Sequence, residues 1–147
     1  MTKESHTISS IDNCRLIELD RHHHENGNLT VVEGCNQLPY ELNRAYYLYD
    51  IPGGEERGGH SHRECAEFLV AISGSFDVTI DDGINQRVVS LNRPYRGLLI
   101  EPGIWRVLHN FSSGAVCLVL SSHHFSEQDY VRNYDEFLEL TAIKREK

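Results

Sequence analysis

Apolar residues recur at every second position through much of this chain, the periodicity of half-buried strands. Residues 76–80 (F-D-V-T-I) alternate cleanly and stop at Asp81-Asp82-Gly83, where the Asp-Gly pair is a strong hairpin signal; residues 86–91 run back. Short strands are also predicted over residues 14–19, 29–33, 44–50, 97–100 and 105–109. Two runs, 68–72 and 115–120, are apolar throughout and predict interior strands. The period changes only at the end, where Tyr130, Tyr134, Phe137, Leu138 and Ile143 recur at helical spacing. Residues 126–147 are therefore expected to form a helical tail on the body, with Ser126-Glu-Gln-Asp129 capping a short turn. Residues 1–12 read as frayed, and 20–28 as a polar connection in which His22, His23 and His24 sit on a surface loop. Many short strands with helix confined to one end predict an all-β sandwich or barrel, and the length of 147 residues predicts one domain, 1–147.

Composition narrows the function classes. A formal net charge of -8 argues against nucleic acid as a partner, since such binding needs a basic face. An anionic small molecule stays open, because Arg87, Arg93, Arg96 and Arg106 are close in sequence. No stretch approaches the roughly 18 apolar residues of a membrane-spanning helix, so no membrane partner is expected. The four cysteines, at 14, 35, 65 and 117, form no C-x-x-C pair, and residues 1–12 lack a secretory apolar core. Reduced thiols in the cytoplasm are the simple expectation.

The chemistry concentrates in residues 54–74. His60 and His62 are separated by one residue, so an extended strand projects both from one face, roughly 7 Å apart along it. Glu67 follows, just ahead of the apolar run. Two imidazoles and a carboxylate converging above a buried strand suit a metal site or a proton-transfer site.

From Gly54 the chain reads G-x5-H-x-H-x4-E-x6-G, which resembles the first motif of the cupin superfamily. The resemblance implies a double-stranded β-helix (jelly roll), in which such residues usually bind a divalent metal with a further histidine from a second motif. That second motif is represented around Pro102 to Asn110, but Arg106 stands at the expected histidine. A guanidinium has no lone pair to offer and repels a cation, so no metal is expected. A pairing of Arg106 with Glu67 or with a substrate anion suits the chemistry better.

A closer resemblance extends from about Asn26 to Phe137. Residues 43–49 (N-R-A-Y-Y-L-Y), 57–62 (R-G-G-H-S-H), 78–83, 109–112 and 129–134 (D-Y-V-R-N-Y), with Pro102 and Trp105, are similar to the WxcM-like, FdtA-type dTDP-sugar 3,4-ketoisomerases. The resemblance implies an isomerase acting on dTDP-4-oxo-6-deoxyglucose, a homodimer, usually with exchanged N-terminal strands, and catalysis without metal or organic cofactor. It also implies that His60 and His62 carry the proton transfer. The family commonly has Gln at the position of Glu67 and His at that of Arg106.

The residue types fit this reaction. The C3 proton of a 4-oxo sugar is acidified by the adjacent carbonyl, and imidazole is the base suited to remove it. Either histidine could be that base. Substrate contacts are expected from Arg57, Arg44, Tyr46 or Tyr47, Glu67, Trp105 and Arg106, with Arg57 toward the pyrophosphate or the enediolate and an aromatic ring on thymine. Arg57 could equally be a solvated partner of Glu55 or Glu56. His109 shares the Trp105 face of its strand, as a site residue or as a hydrogen-bonded barrel histidine. Two rivals remain: a non-catalytic nucleotide-sugar-binding cupin, and a 3- or 3,5-epimerase of the same sugars. The epimerase would pair its histidine with a buried aspartate, and none stands out among the core strands.

Overall fold

The computed structural model describes residues 9–146. Two antiparallel five-stranded sheets lie face to face. In spatial order the first holds β1 (Arg15–Glu18), β9 (Arg96–Ile100), β6 (Glu67–Ser73), β11 (Val116–Ser121) and β4 (Arg44–Leu48). The second holds β12 (Tyr130–Val131), β5 (Arg57–His62), β10 (Trp105–His109), β7 (Phe76–Asp81) and β8 (Gln86–Leu91). This is the jelly roll expected, closed at the C-terminus by a helix, α1 (Tyr134–Glu146).

The alternation decides what faces the interior. Phe76, Val78 and Ile80 of β7 and Leu108 of β10 meet Leu69 and Ala71 of β6 and Cys117 and Val119 of β11 between the sheets. Each large side chain buried there contributes about 1.5–3 kcal/mol. The unbroken apolar runs are explained by a second layer. Phe68, Val70 and Leu120 point the other way, under Leu19 and Leu38 from the loop that crosses the outside of the first sheet. On the outside of the second sheet, Trp105 and Val107 pack against Val131 and Phe137, so α1 covers that face.

Three expectations change. Residues 29–33 do not form a strand; β3 (Gly27–Leu29) pairs instead with β2 (His22–His24) in an exposed hairpin. Its two-residue turn is Glu25-Asn26, and Gly27, at φ 139°, opens the return strand opposite His24. The three histidines therefore sit on a strand, not a loop. Residues 9–12 are held rather than frayed: Ile11 is buried, its N–H donates to Asp82 Oδ2 at 3.0 Å, and its carbonyl accepts from Arg87. The rest of the 1–12 segment, residues 1–8, lies outside the described residues. Finally, the tail is helical only from Tyr134. Before it come a 3-10 turn at Glu127–Asp129 and β12, which pairs Tyr130 with His62.

Gly97 of β9 tests the outer layer, because a Cβ there would fall inside the Phe68 ring. Gly97→Ala is expected to cost roughly 1–3 kcal/mol in urea unfolding at unchanged m-value. Gly59→Ala, whose Cβ would meet nothing nearer than 3.8 Å, should cost much less. Equal costs would contradict the packing described.

Candidate active site

Alternation on β6 sends Glu67 inward with Leu69, and on β11 it sends Ser121 inward with Val119. Glu67 is 1% exposed and collects donors from four neighbouring strands. Its Oε1 accepts from Arg106 Nη1 of β10 at 3.0 Å and lies 3.2 Å from His62 Nε2 of β5. Its Oε2 accepts from Tyr46 OH of β4 and Ser121 Oγ of β11, both at 2.8 Å. Burial alone would raise the pKa of this carboxyl, but the hydrogen bond from His62 and the charge of Arg106 hold it well below the carboxylate range. The same environment pushes the Tyr46 phenol up, first through burial and then through the Glu67 charge.

The two histidines differ in surroundings. His62 is fully buried and bonded at both ring nitrogens: Nδ1 is 2.9 Å from Asp129 Oδ2, and Nε2 faces Glu67 and, at 3.1 Å, His60 Nε2. His60 lines a cavity of about 540 Å³ that opens between the sheets. Its Nδ1 has no hydrogen bond among the described residues and is not sealed from solvent. Burial, the Arg106 guanidinium and His62 together pull the His60 pKa down from 6.5 to about 3, which leaves a neutral imidazole at physiological pH. Tyr130 packs on both rings, with centroids 5.0 Å from His60 and 4.4 Å from His62.

Four arginines line this cavity in a chain of net charge -8: Arg44, Arg57, Arg106 and Arg132. Arg106 is committed to Glu67 and to the Ile104 carbonyl at 3.0 Å. Arg44 lies 3.7 Å from Glu67, and Arg132 bridges Glu127 while covering Tyr130 at 4.2 Å. Arg57 makes no ion pair among the described residues, with Glu55 and Glu56 included, and stands exposed at the rim. Phe125, 62% exposed, completes the mouth.

His60, His62 and Glu67 converge within 4.8 Å, as metal ligands would. The donor set does not fit a divalent ion, because the Glu67 oxygen facing the histidines is already bonded to a guanidinium. Arg106 therefore pairs with Glu67 as the residue types suggested. The arginines 87, 93 and 96 form no part of this basic lining.

The structure brings together His60, His62, Glu67, Arg44, Arg57, Tyr46 and Arg106, and leaves three expected contacts outside. Trp105 and His109 occupy the opposite face of β10 from Arg106 and Leu108. Trp105 is buried under α1, and His109 is 2.7 Å from Thr79 Oγ1. Their face is the covered outside of the sheet, so period two excludes both from the cavity. Tyr47 points outward from β4, 62% exposed, beside Tyr49. Conversely, the aspartate partner that the core strands lack comes from the tail as Asp129, accompanied by Tyr130. Both belong to the 129–134 stretch, but helical spacing hides their extended geometry.

Comparison with known proteins gives a consistent result. The family model described as WxcM-like, C-terminal (FdtA) matches residues 12–142. The TDP-4-oxo-6-deoxy-alpha-D-glucose-3,4-oxoisomerase of Aneurinibacillus thermoaerophilus is 38% identical over 116 residues, 79% of this chain and 84% of that protein. Among solved structures, the sugar 3,4-ketoisomerase QdtA of Thermoanaerobacterium thermosaccharolyticum in complex with TDP superposes with a TM-score of 0.89 at 32% identity, covering 92% of this chain and 98% of that one. The TDP-quinovose 3,4-ketoisomerase WlaRB of Campylobacter jejuni gives 0.84 at 40% identity, covering 88% and 99%.

The depressed pKa of His60 has a measurable sign. Between pH 6.5 and about 3 an unfolded histidine takes up a proton that folded His60 refuses, so this residue makes unfolding easier as pH falls through that window. Wild type should lose stability more steeply than His60→Gln between pH 6.5 and pH 5, by up to about 1.4 kcal/mol per pH unit in urea unfolding. Parallel curves would contradict the assignment.

Proposed function

The chain belongs to the WxcM-like, C-terminal (FdtA) family, and we propose that it converts dTDP-4-oxo-6-deoxyglucose to a dTDP-3-oxo-6-deoxyhexose. The observation that carries this reading is His60: a neutral imidazole with a free Nδ1, facing a cavity lined by arginines. In this mechanism the C4 carbonyl acidifies the C3 proton, and His60 removes it as general base. The electron pair moves to O4 and gives an enediolate. Protonation at C4 and transfer of the O3 proton to O4 complete the shift of the ketone to C3 and leave a hydroxyl at C4. His62, behind His60, stabilises the imidazolium that forms.

The cavity's charge supports an orientation. The sugar lies inward toward His60, and the pyrophosphate lies at the mouth, on Arg57 and Arg132. Phe125 and Arg44, 5.7 Å apart, offer a surface for the thymine ring there. Tyr46 is a wall rather than an acid, since its proton is engaged by Glu67. The reaction runs without metal or organic cofactor in this reading, because Arg106 already supplies the charge beside Glu67. We place the enzyme in the cytoplasm, which suits its free cysteines, and as a homodimer, as its family resemblance implies. Among the described residues no helix is long and apolar enough to cross a membrane.

The His62–Asp129 pair also supplies the partner an epimerase would need, so the position of protonation must be read directly. The metal-free protein is incubated with dTDP-4-oxo-6-deoxyglucose in deuterated water and the sugar followed by NMR. A 3-oxo product with deuterium at C4, formed about 10²- to 10⁴-fold more slowly by His60→Asn, is expected. Deuterium at C3 with the ketone still at C4 would mean epimerisation. Binding without exchange would leave a nucleotide-sugar-binding protein.

A further inference from the structure

We propose that His62, Cys65 and Asp129 form a binding site for a thiophilic divalent cation of the zinc class, and that filling it switches the enzyme off. The second half rests on the isomerase reading above; the first does not. Donor atoms of the three residues lie within 4.8 Å of one another, and His62 Nδ1 is 2.9 Å from Asp129 Oδ2. At zinc's usual bond lengths, donors on one tetrahedral ion stand about 3.3–3.6 Å apart. The histidine–carboxylate pair therefore needs to open by roughly 0.4 Å, while the thiol closes in on it. A sulfur donor beside nitrogen and oxygen selects zinc over magnesium or calcium, which take oxygen ligands.

Each donor is supported from behind, as metal ligands are. His62 Nε2 lies 3.2 Å from Glu67 Oε1, the carboxylate partner that a metal-bound histidine uses on its other nitrogen. Asp129 Oδ1 accepts from the Glu64 N–H at 2.7 Å, which leaves Oδ2 for the ion. Ser122 Oγ, 3.8 Å from Cys65 Sγ, offers its hydroxyl to the sulfur. The site uses Nδ1 of His62, whereas Arg106 meets Glu67 on the Nε2 side, so the guanidinium that bars a metal from the other cluster does not fill this one. Arg63 is committed to the Gln128 carbonyl at 3.2 Å and to Glu136 at 3.0 Å. His62 and Cys65 are fully buried and Asp129 is 15% exposed, which makes the carboxylate the entrance. Glu64, His123 and His124 line the depression in front of it.

Binding forms bonds from the ion to Nδ1, Sγ and Oδ2, with water as the fourth ligand. It releases the thiol proton and the proton between His62 and Asp129 to solvent, and no electron is transferred. His62 keeps its Nε2 proton for Glu67. In the isomerase mechanism His60, 3.1 Å away, must become an imidazolium. A dication on the far nitrogen of His62 opposes that charge and locks the ring behind the base. The metal-free enzyme has no use for the thiol: Cys65 does not line the sugar's cavity, and it donates only to the Ala66 carbonyl at 3.4 Å among the described residues.

The test uses cobalt(II) as a spectroscopic substitute for zinc on reduced, metal-free protein. One equivalent is expected to give the near-ultraviolet charge-transfer band of a thiolate–cobalt bond, and zinc to abolish it by displacement. Cys35→Ser should keep the band and Cys65→Ser should lose it. Zinc affinity should fall in Cys65→Ser by more than the roughly 10- to 100-fold that a lost supporting hydrogen bond costs. Zinc should also remove most of the wild type's turnover of dTDP-4-oxo-6-deoxyglucose, with EDTA restoring it. Cys65→Ser should turn over normally and resist zinc. No thiolate band in wild type, or a band that disappears with Cys35, overturns the site whether or not Cys65→Ser folds. Zinc inhibition that persists in Cys65→Ser places the ion elsewhere and overturns the proposal, and a band with undiminished turnover overturns the switch. If the metal-free wild type forms no 3-oxo product, the isomerase reading falls and the switch with it, while the cobalt band still decides the site.

Discussion

A buried carboxylate holds the site together. Glu67 sits where an isolated anion would cost several kcal/mol of desolvation, and it is tolerated because donors from β4, β5, β10 and β11 converge on it. The dependence is mutual, since Arg106 is 1% exposed and would be an uncompensated interior cation without it. One contact therefore couples both sheets, fixes one side of His62 and holds Arg106 where its charge, after burial, helps to keep His60 neutral.

Around that contact an acidic protein presents a basic cavity. The arginines reach it from β4, β5, β10 and the segment after β12, so no basic run appears in the sequence. Enclosure between two sheets strengthens their pull on an anion relative to the same charges in water. An elongated anionic substrate would be held by its charged middle at the mouth, with its uncharged sugar end delivered to His60.

Much of the framework is legible from alternation alone. Period two places β8 and β10 residue for residue, and the two unbroken apolar runs mark the strands that are buried on both faces. The H-x-H spacing marks the site because period two puts both imidazoles on one face of a strand, and Glu67 joins them from the facing sheet. What alternation cannot say is which face of β10 looks inward. Trp105 and Arg106 are both buried, one under α1 and one in the cavity, so burial does not separate them. Asp129 and Tyr130 are hidden for another reason. Their geometry is imposed by pairing with the edge of β5, a long-range contact that overrides the helical spacing of the residues that follow.

The central claim is that His60 meets C3 of a nucleotide-linked sugar held by its pyrophosphate at the cavity mouth. The most direct measurement is a crystal structure of His60→Asn, slowed at its base, with dTDP-4-oxo-6-deoxyglucose bound. The sugar C3 should lie about 3–3.5 Å from the residue-60 side chain, with the pyrophosphate against Arg57 and Arg132. A sugar bound with C3 turned away from position 60, or a nucleotide seated outside this cavity, would contradict the claim.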